Sequence, residues 1–160
     1  MRRHTEQSPG RAEQPEADPA VVVAAALVRA GRVLAQQRAY PPELAGRWEL
    51  PGGRVEPEED AREALVRECR EELGVEVVPG ERLGSDVALP GGYVLRVHVA
   101  WLAQPTATPV PREHAALRWV DVTDLAELDW LDADRAIVSD LAVLLRAQRR
   151  GAAGCTGASE

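Results

Sequence analysis

The chain has no lysine, asparagine or phenylalanine among its 160 residues, and all 19 of its basic residues are arginine. Any grip on a phosphate must therefore come from guanidinium groups, backbone N–H or a metal. Cysteine is scarce. Cys69 and Cys155 make neither a disulfide framework nor a metal-ligand spacing, and they suit a reducing cytoplasm. Long apolar runs are also missing: the stretch from Ala20 to Val28 is far too short to span a bilayer. It lies too far behind Arg2 and Arg3 to read as a signal peptide, so neither a membrane span nor a targeting segment is expected. Positive charge is outweighed, at a formal net charge of −7 and a pI near 5.1. That argues against non-specific binding to polymeric DNA, RNA or anionic membranes, while a small anion could still bind through a metal and local arginines. No G-x-S-x-G and no Cys/His pair offers a covalent nucleophile.

What is present fits one domain. Residues 1–18 read as a disordered tail, 19–148 as the folded domain and 149–160 as a second disordered tail. Residues 20–28 and 33–37 read as two strands about a tight turn at Ala30-Gly31, the first covered on both faces. Pro41 and Pro42 make a surface loop, and Trp48-Glu49-Leu50 is a short strand. Val75 to Val78 alternates like a half-buried strand, Leu89-Pro90-Gly91-Gly92 reads as a hairpin turn, and Tyr93 to Trp101 is the longest strand candidate. Leu117 to Val120 is another strand, Asp121 to Leu128 a brief helical turn, and 133–149 a last helix with Ile137, Leu141, Leu144 and Leu145 at helical spacing. Interleaved strands and helices predict an α/β (α+β) class, a mixed β-sheet sandwiched between α-helices.

The chain is organised around residues 52–75: a glycine pair read as a turn, an acidic loop, a helix over about residues 60 to 73, and a stop at Gly74. At about 100° per residue, with Leu65 at zero, Cys69 and Leu73 fall near 40° and 80° and Ala61 near −40°. Glu72 then falls near −20°, inside the apolar arc, with Glu68 near −60° and Glu71 near −120°. The acids thus run from the buried stripe to its edge. Burying carboxylates unpaired costs several kcal/mol, roughly, so a cation is the natural compensation. Oxygen-only ligands select a hard ion, Mg²⁺ or Mn²⁺.

Gly53, Glu59, Arg67, Glu68, Cys69, Glu71, Glu72, Gly74 and Val75 fill the pattern G-x5-E-x7-R-E-U-x-E-E-x-G-U, with U hydrophobic. This resembles the Nudix box, and chance would produce its fixed letters on the order of once in a hundred million starting points. Gln37-Arg38, the loop Pro41 to Leu44, Gly46 to Pro51 and Glu113 to Val120 look like MutT-type members, extending the resemblance over roughly residues 20–146. The resemblance implies the Nudix fold and hydrolysis of a nucleoside triphosphate to monophosphate and pyrophosphate, assisted by Mg²⁺ with Mn²⁺ as a substitute. It implies that Glu68, Glu71 and Glu72 ligate metal with the Gly52 carbonyl, that Arg67 pairs with Glu59 to hold the box in shape, and that Gly53 and Gly74 are structural. Glu113 is implied as a further ligand or base, leaving Glu72 and Glu113 both candidates for the general base. Arg38 and Glu49 are implied substrate contacts. His98 and His114 are assigned structural or exposed roles, and the tryptophans the core.

Asp134 stands where similar enzymes read the base. It can accept a hydrogen bond from an exocyclic amino group such as cytosine N4, so (d)CTP or 5-methyl-dCTP is expected, with 8-oxo-dGTP close behind. A plain N-cap of the last helix is the alternative reading. Pro90 leaves open an ADP-ribose or other nucleoside diphosphate-X pyrophosphatase, and a non-catalytic binding module is the alternative of another class. A cytoplasmic monomer or homodimer is expected.

Overall fold

A computed structural model describes residues 19–154. The tail expected at 1–18, residues 155–160 and Cys155 lie outside the described residues. Strand β1 (Ala20–Arg29) runs through the middle of a mixed sheet. Its side chains alternate between two cores: Val23, Ala25 and Leu27 pack on one side, Ala24, Ala26 and Val28 on the other. This two-sided burial is what a nearly continuous Val/Ala run provides.

One edge of β1 is paired in parallel along Ala20–Leu27 with β7 (Tyr93–Leu102). Its other edge is shared. Val22, Val23 and Ala24 pair with β4 (Gly52–Arg54), and farther along Val28 and Arg29 pair with β2 (Arg32–Gln37). Strand β2 continues the sheet to β3 (Trp48–Glu49) at one side and β8 (Ala116–Asp121) at the other. Beyond β7 lie β5 (Val77–Arg82) and the short β6 (Val87–Ala88). The division of one edge between β4 and β2 opens the sheet where the glycine pair enters.

Helix α1 (Ala61–Leu73) covers one face through Ala64, Leu65, Cys69 and Leu73. Asp60 caps it in a reciprocal box with Glu63, and Gly74, at φ 67°, ends it in the left-handed region. The other face is covered by Ile137 and by α3 (Val138–Gly154), whose Leu141 and Leu145 pack with Leu125, Leu128 and Trp130. The sandwich is the mixed sheet between helices that the sequence predicts.

Several boundaries differ from expectation. Gly52 and Gly53 form a strand on β1, with Pro51 making the bend, because Gly52 lies so close that an added Cβ would stand 1.9 Å from the Val23 carbonyl. Strand β5 starts at Val77 and runs past Pro79 with a register shift, which an edge strand tolerates. The last helix is divided into a single turn, α2 (Asp132–Arg135), and α3. Disorder from residue 149 is not found over 149–154, where α3 continues to Gly154, tied at Arg149 by an ion pair with Asp121. Trp101, expected in the core, is 41 % exposed at the sheet's end. No helix among the described residues is long and apolar enough to cross a membrane.

Candidate active site

The opened edge of β1 leads into a cavity of about 430 Å³ whose lining includes Arg38, Glu49, Gly52, Gly53, Arg54, Glu72, Glu113 and His114. The loop after β2, β3–β4, the end of α1 and the loop before β8 meet there beside Val22 of β1. Arginine is the only cation type available, and Arg38 and Arg54 supply it. Arg54 is stacked over the Tyr93 ring, 4.7 Å to the centroid.

Arg67 organises the carboxylates of α1. Its Nη2 and Nε reach the two Glu59 oxygens at 2.6 and 3.1 Å, Nη1 reaches Glu68 Oε1 at 2.9 Å, and Nη2 also donates to the Arg54 carbonyl at 3.1 Å. The hydrogen bond from Arg67 holds the Glu59 carboxyl below its ordinary range. Glu59, Arg67 and the β4 backbone therefore form one clamp between the acidic loop and α1.

The three acids of α1 graduate inward as their helical angles predict. Glu71 is exposed, Glu68 half-buried and Glu72 buried. Burial pushes the Glu72 carboxyl up to about 7, with the Glu68 charge adding to it, while donation from Gln36 and Gly52 and the nearness of His114 oppose the rise. Burial also raises Glu68, and the charges of Glu71 and Glu113 reinforce it against the pull of Arg67. Glu72 Oε2 accepts Gln36 Nε2–H at 2.9 Å and the Gly52 N–H at 3.1 Å. Glu113 is exposed at the cavity rim.

Glu49 joins two partners. Arg38 Nη1 donates to its two oxygens at 3.1 and 3.3 Å, and His114 Nε2 lies 2.8 Å from Oε1. His114 lines the cavity in the structural role expected of it, as a partner of Glu49, and Gln36 is a neighbour of Glu72 that sequence reading misses. The available signals were slight: His114 adjoins Glu113, and Gln36 is a polar residue on the face that Leu34 buries.

A second cavity of about 150 Å³ adjoins the first, sharing Val22, Glu49 and Gly52. Leu50, Leu89, Leu95, Leu131 and Ala133 make it apolar, and Asp134 and Glu49 supply its acids. Asp134 is not an N-cap; Leu131 holds that place in α2. Its Oδ1 instead accepts the Leu50 N–H at 2.9 Å, and burial pushes its carboxyl up to about 7. The α2 segment is held by Arg47, which reaches the Trp130 carbonyl at 2.5 Å and Asp132 at 3.0 Å, and by the Trp48–Trp130 backbone bridge.

These residues fit a hard divalent cation by their chemistry. The carboxylates of Glu68 and Glu72 and the backbone of Gly52 meet at the junction of α1 and β4, burial and neighbouring carboxylate charge raise Glu68 and Glu72, and a Cβ on Gly53 would fall 2.3 Å from Glu68 Oε1, so the glycine keeps room for that carboxylate. The side chains do not form a finished cage. Among the described residues no three His, Cys, Asp or Glu side chains converge to hold an ion, because Glu68 is drawn to Arg67, Glu72 to Gln36 and Gly52, and Glu71 points outward.

The chain is similar to known proteins over most of its length. A putative 8-oxo-dGTP diphosphatase 2 of Mycobacterium tuberculosis is 50% identical over 125 residues, 76% of this chain and 87% of its own. A CTP pyrophosphohydrolase of Escherichia coli is 38% identical over 128 residues, 80% of this chain and 94% of its own. The solution structure of the E. coli ORF135 protein superimposes with a TM-score of 0.66 at 36% identity, over 81% of this chain and 92% of that one. The model of the NUDIX domain matches residues 18–141, and with the box, the fold and the carboxylate-lined cleft in agreement, the chain belongs to the Nudix hydrolase family.

Proposed function

We propose that the chain is a pyrophosphohydrolase that converts a (deoxy)nucleoside triphosphate to monophosphate and pyrophosphate, acting on (d)CTP, 5-methyl-dCTP or 8-oxo-dGTP within the cytoplasmic nucleotide pool. The observation that carries it is the pair of adjoining cavities, one polar with Arg38, Arg54, Glu72 and Glu113, the other apolar with Asp134 at its wall. A phosphate chain and a base require that division of surface. The relatives named for 8-oxo-dGTP and CTP support the same pair of substrates.

Hydrolases of this family need a divalent metal. Glu68, Glu71 and Glu72, with the Gly52 carbonyl, would hold Mg²⁺ or Mn²⁺, which supplies charge neutralisation of the phosphates and alignment of the attacking water. Arg38 and Arg54 would bind phosphate oxygens. Glu72 and Glu113 are both candidates for the general base, Glu72 buried and held by Gln36 and Gly52, Glu113 exposed at the cavity rim. Arg67 keeps Glu68 and Glu59 in place. Asp134, with its carboxyl near 7, can accept from an amino group when ionised and donate when protonated, which serves cytosine and oxidised guanine alike.

The test is a nucleotide panel with pyrophosphate release as the readout, run on the natural sequence, Glu72→Gln and Asp134→Asn. Glu72→Gln is expected to lose at least ~10³ in kcat. Asp134→Asn is expected to change the ratio of kcat/KM between cytosine and guanine-type nucleotides. Retained turnover in the first refutes the site; an unchanged ratio in the second refutes base reading by Asp134.

A further inference from the structure

Gln36 is the most deeply buried polar side chain among the described residues, 1 % exposed, yet only one end of its amide is satisfied. Nε2 donates to Glu72 Oε2 at 2.9 Å, while Oε1 is buried without a hydrogen-bond partner. An unpaired buried carbonyl is destabilising, and a Leu or Met of similar volume would pack against the neighbouring apolar side chains without that penalty. Stability therefore does not explain an amide at this position. Its contact does.

The same Oε2 also takes the Gly52 N–H at 3.1 Å. Two donors from different strands on one oxygen fix the plane of the carboxyl and leave Oε1 as the oxygen with free lone pairs, on a residue that lines the larger cavity. Gln36 itself does not line that cavity. It sits across the sheet from Glu49, its partner in the β2–β3 register, so the two strands present an anchored pair: Gln36 holding Glu72, and Glu49 holding Arg38 and His114.

We propose that Gln36 is a positioning residue whose Nε2–H locks Glu72 in the orientation that presents its Oε1 to the phosphate-binding cavity. The inference rests on the role assigned to Glu72 above.

The test uses the full chain as Gln36→Met, Gln36→His, Glu72→Gln and the double variant Gln36→Met/Glu72→Gln. In Gln36→Met, kcat is expected to fall about 10- to 100-fold with KM within about two-fold of the natural value. Its Tm should not drop, because the orphaned oxygen leaves with the amide. Gln36→His, which keeps an N–H donor, should recover part of the lost kcat, and it carries the test if Gln36→Met fails to fold. In the Glu72→Gln background Gln36→Met should cost less than about two-fold, since its effect passes through Glu72. Mn²⁺ affinity without nucleotide, read from the electron paramagnetic resonance of free Mn²⁺, should weaken about three-fold or more in Gln36→Met; lost kcat with unchanged affinity would place the contribution of Glu72 at the water and still leave Gln36 positioning it. Natural kcat in Gln36→Met and Gln36→His while Glu72→Gln is inactive, or additive losses in the double variant, overturns the positioning role alone. Natural turnover in Glu72→Gln overturns the underlying site.

Discussion

Asp134 on the one-turn helix α2 accepts the backbone N–H of Leu50 at 2.9 Å, joining positions 84 residues apart. The bond ties the wall of the apolar cavity to the strand segment that leads into the glycine pair. Burial raises the carboxyl from 3.8 to about 7, so between about pH 4 and 7 the folded chain holds a proton that the unfolded chain has released. Stability from this group is complete below about pH 4 and is lost as pH rises through 7. Asn at this position keeps an oxygen for the Leu50 N–H and cannot titrate. Relative to Asp134→Asn, the natural chain should lose on the order of 2–4 kcal/mol between pH 4.5 and pH 8, seen as a Tm difference that moves by about 5 °C or more. Thermal melts of both proteins at the two pH values check it; a pH-independent difference sinks it.

Arg67 spends its guanidinium on Glu59, Glu68 and the Arg54 carbonyl at once. Lysine keeps the charge but cannot reproduce the planar fork. Arg67→Lys should lower kcat about 10- to 100-fold, and Glu59→Gln, which breaks the same fork from the other side, should do so by a similar factor. Combined, the two should lose little more than either alone. Steady-state kinetics on the four proteins decides; additive losses would mean that Arg67 acts elsewhere.

Much of this was legible locally. The helix itself, the Gly74 stop and the inward angle of Glu72 are set within α1, where 3.6 residues per turn fix which side chains share a face. The two-sided burial of β1 likewise follows from its own composition. What stayed hidden depends on distant pairing. Gln36 meets Glu72 across 36 residues and His114 meets Glu49 across 65, and no periodicity reports such contacts. The end of α3 is hidden for the same reason: Gly151 disfavours helix, while the ion pair of Arg149 with Asp121 is a tertiary contact that holds the turn before it. Glycine favours turns, but the use of the pair here is close approach to β1 and to Glu68.

Those two glycines predict opposite phenotypes. A Cβ on Gly53 meets the end of the Glu68 side chain, 2.3 Å from Oε1, and Glu68 can swing away. Gly53→Ala should therefore fold with nearly natural Tm and lose at least about ten-fold in kcat. A Cβ on Gly52 meets the Val23 carbonyl and the Ala24 Cα, at 1.9 and 2.7 Å, where only backbone movement gives relief. Gly52→Ala should lose about 3 kcal/mol or more of stability. Circular dichroism melts beside kinetics separate the two, and equal Tm values for both variants would contradict the argument.

Mutual charge among Glu68, Glu71, Glu72 and Glu113 gives a last expectation that needs no substrate. Burial raises the Glu68 and Glu72 carboxyls in the folded chain, and the charges of Glu71 and Glu113 add to the rise at Glu68 as that of Glu68 does at Glu72. A divalent cation bound between them removes that repulsion only while the chain is folded, so MgCl₂ should raise Tm in proportion to the logarithm of its concentration above Kd. At about a hundred times Kd the gain is about 2.7 kcal/mol, roughly 5–10 °C for a domain of this size. Glu68→Gln and Glu72→Gln should flatten the titration, Asp134→Asn should leave it intact, and EDTA should abolish turnover of the natural chain. The comparison is made against KCl at matched ionic strength, since general screening of a chain at −7 would also stabilise it. Equal stabilisation by the two salts, or an undiminished Mg²⁺ response in both Glu→Gln variants, would remove the carboxylates of α1 as the cation's ligands.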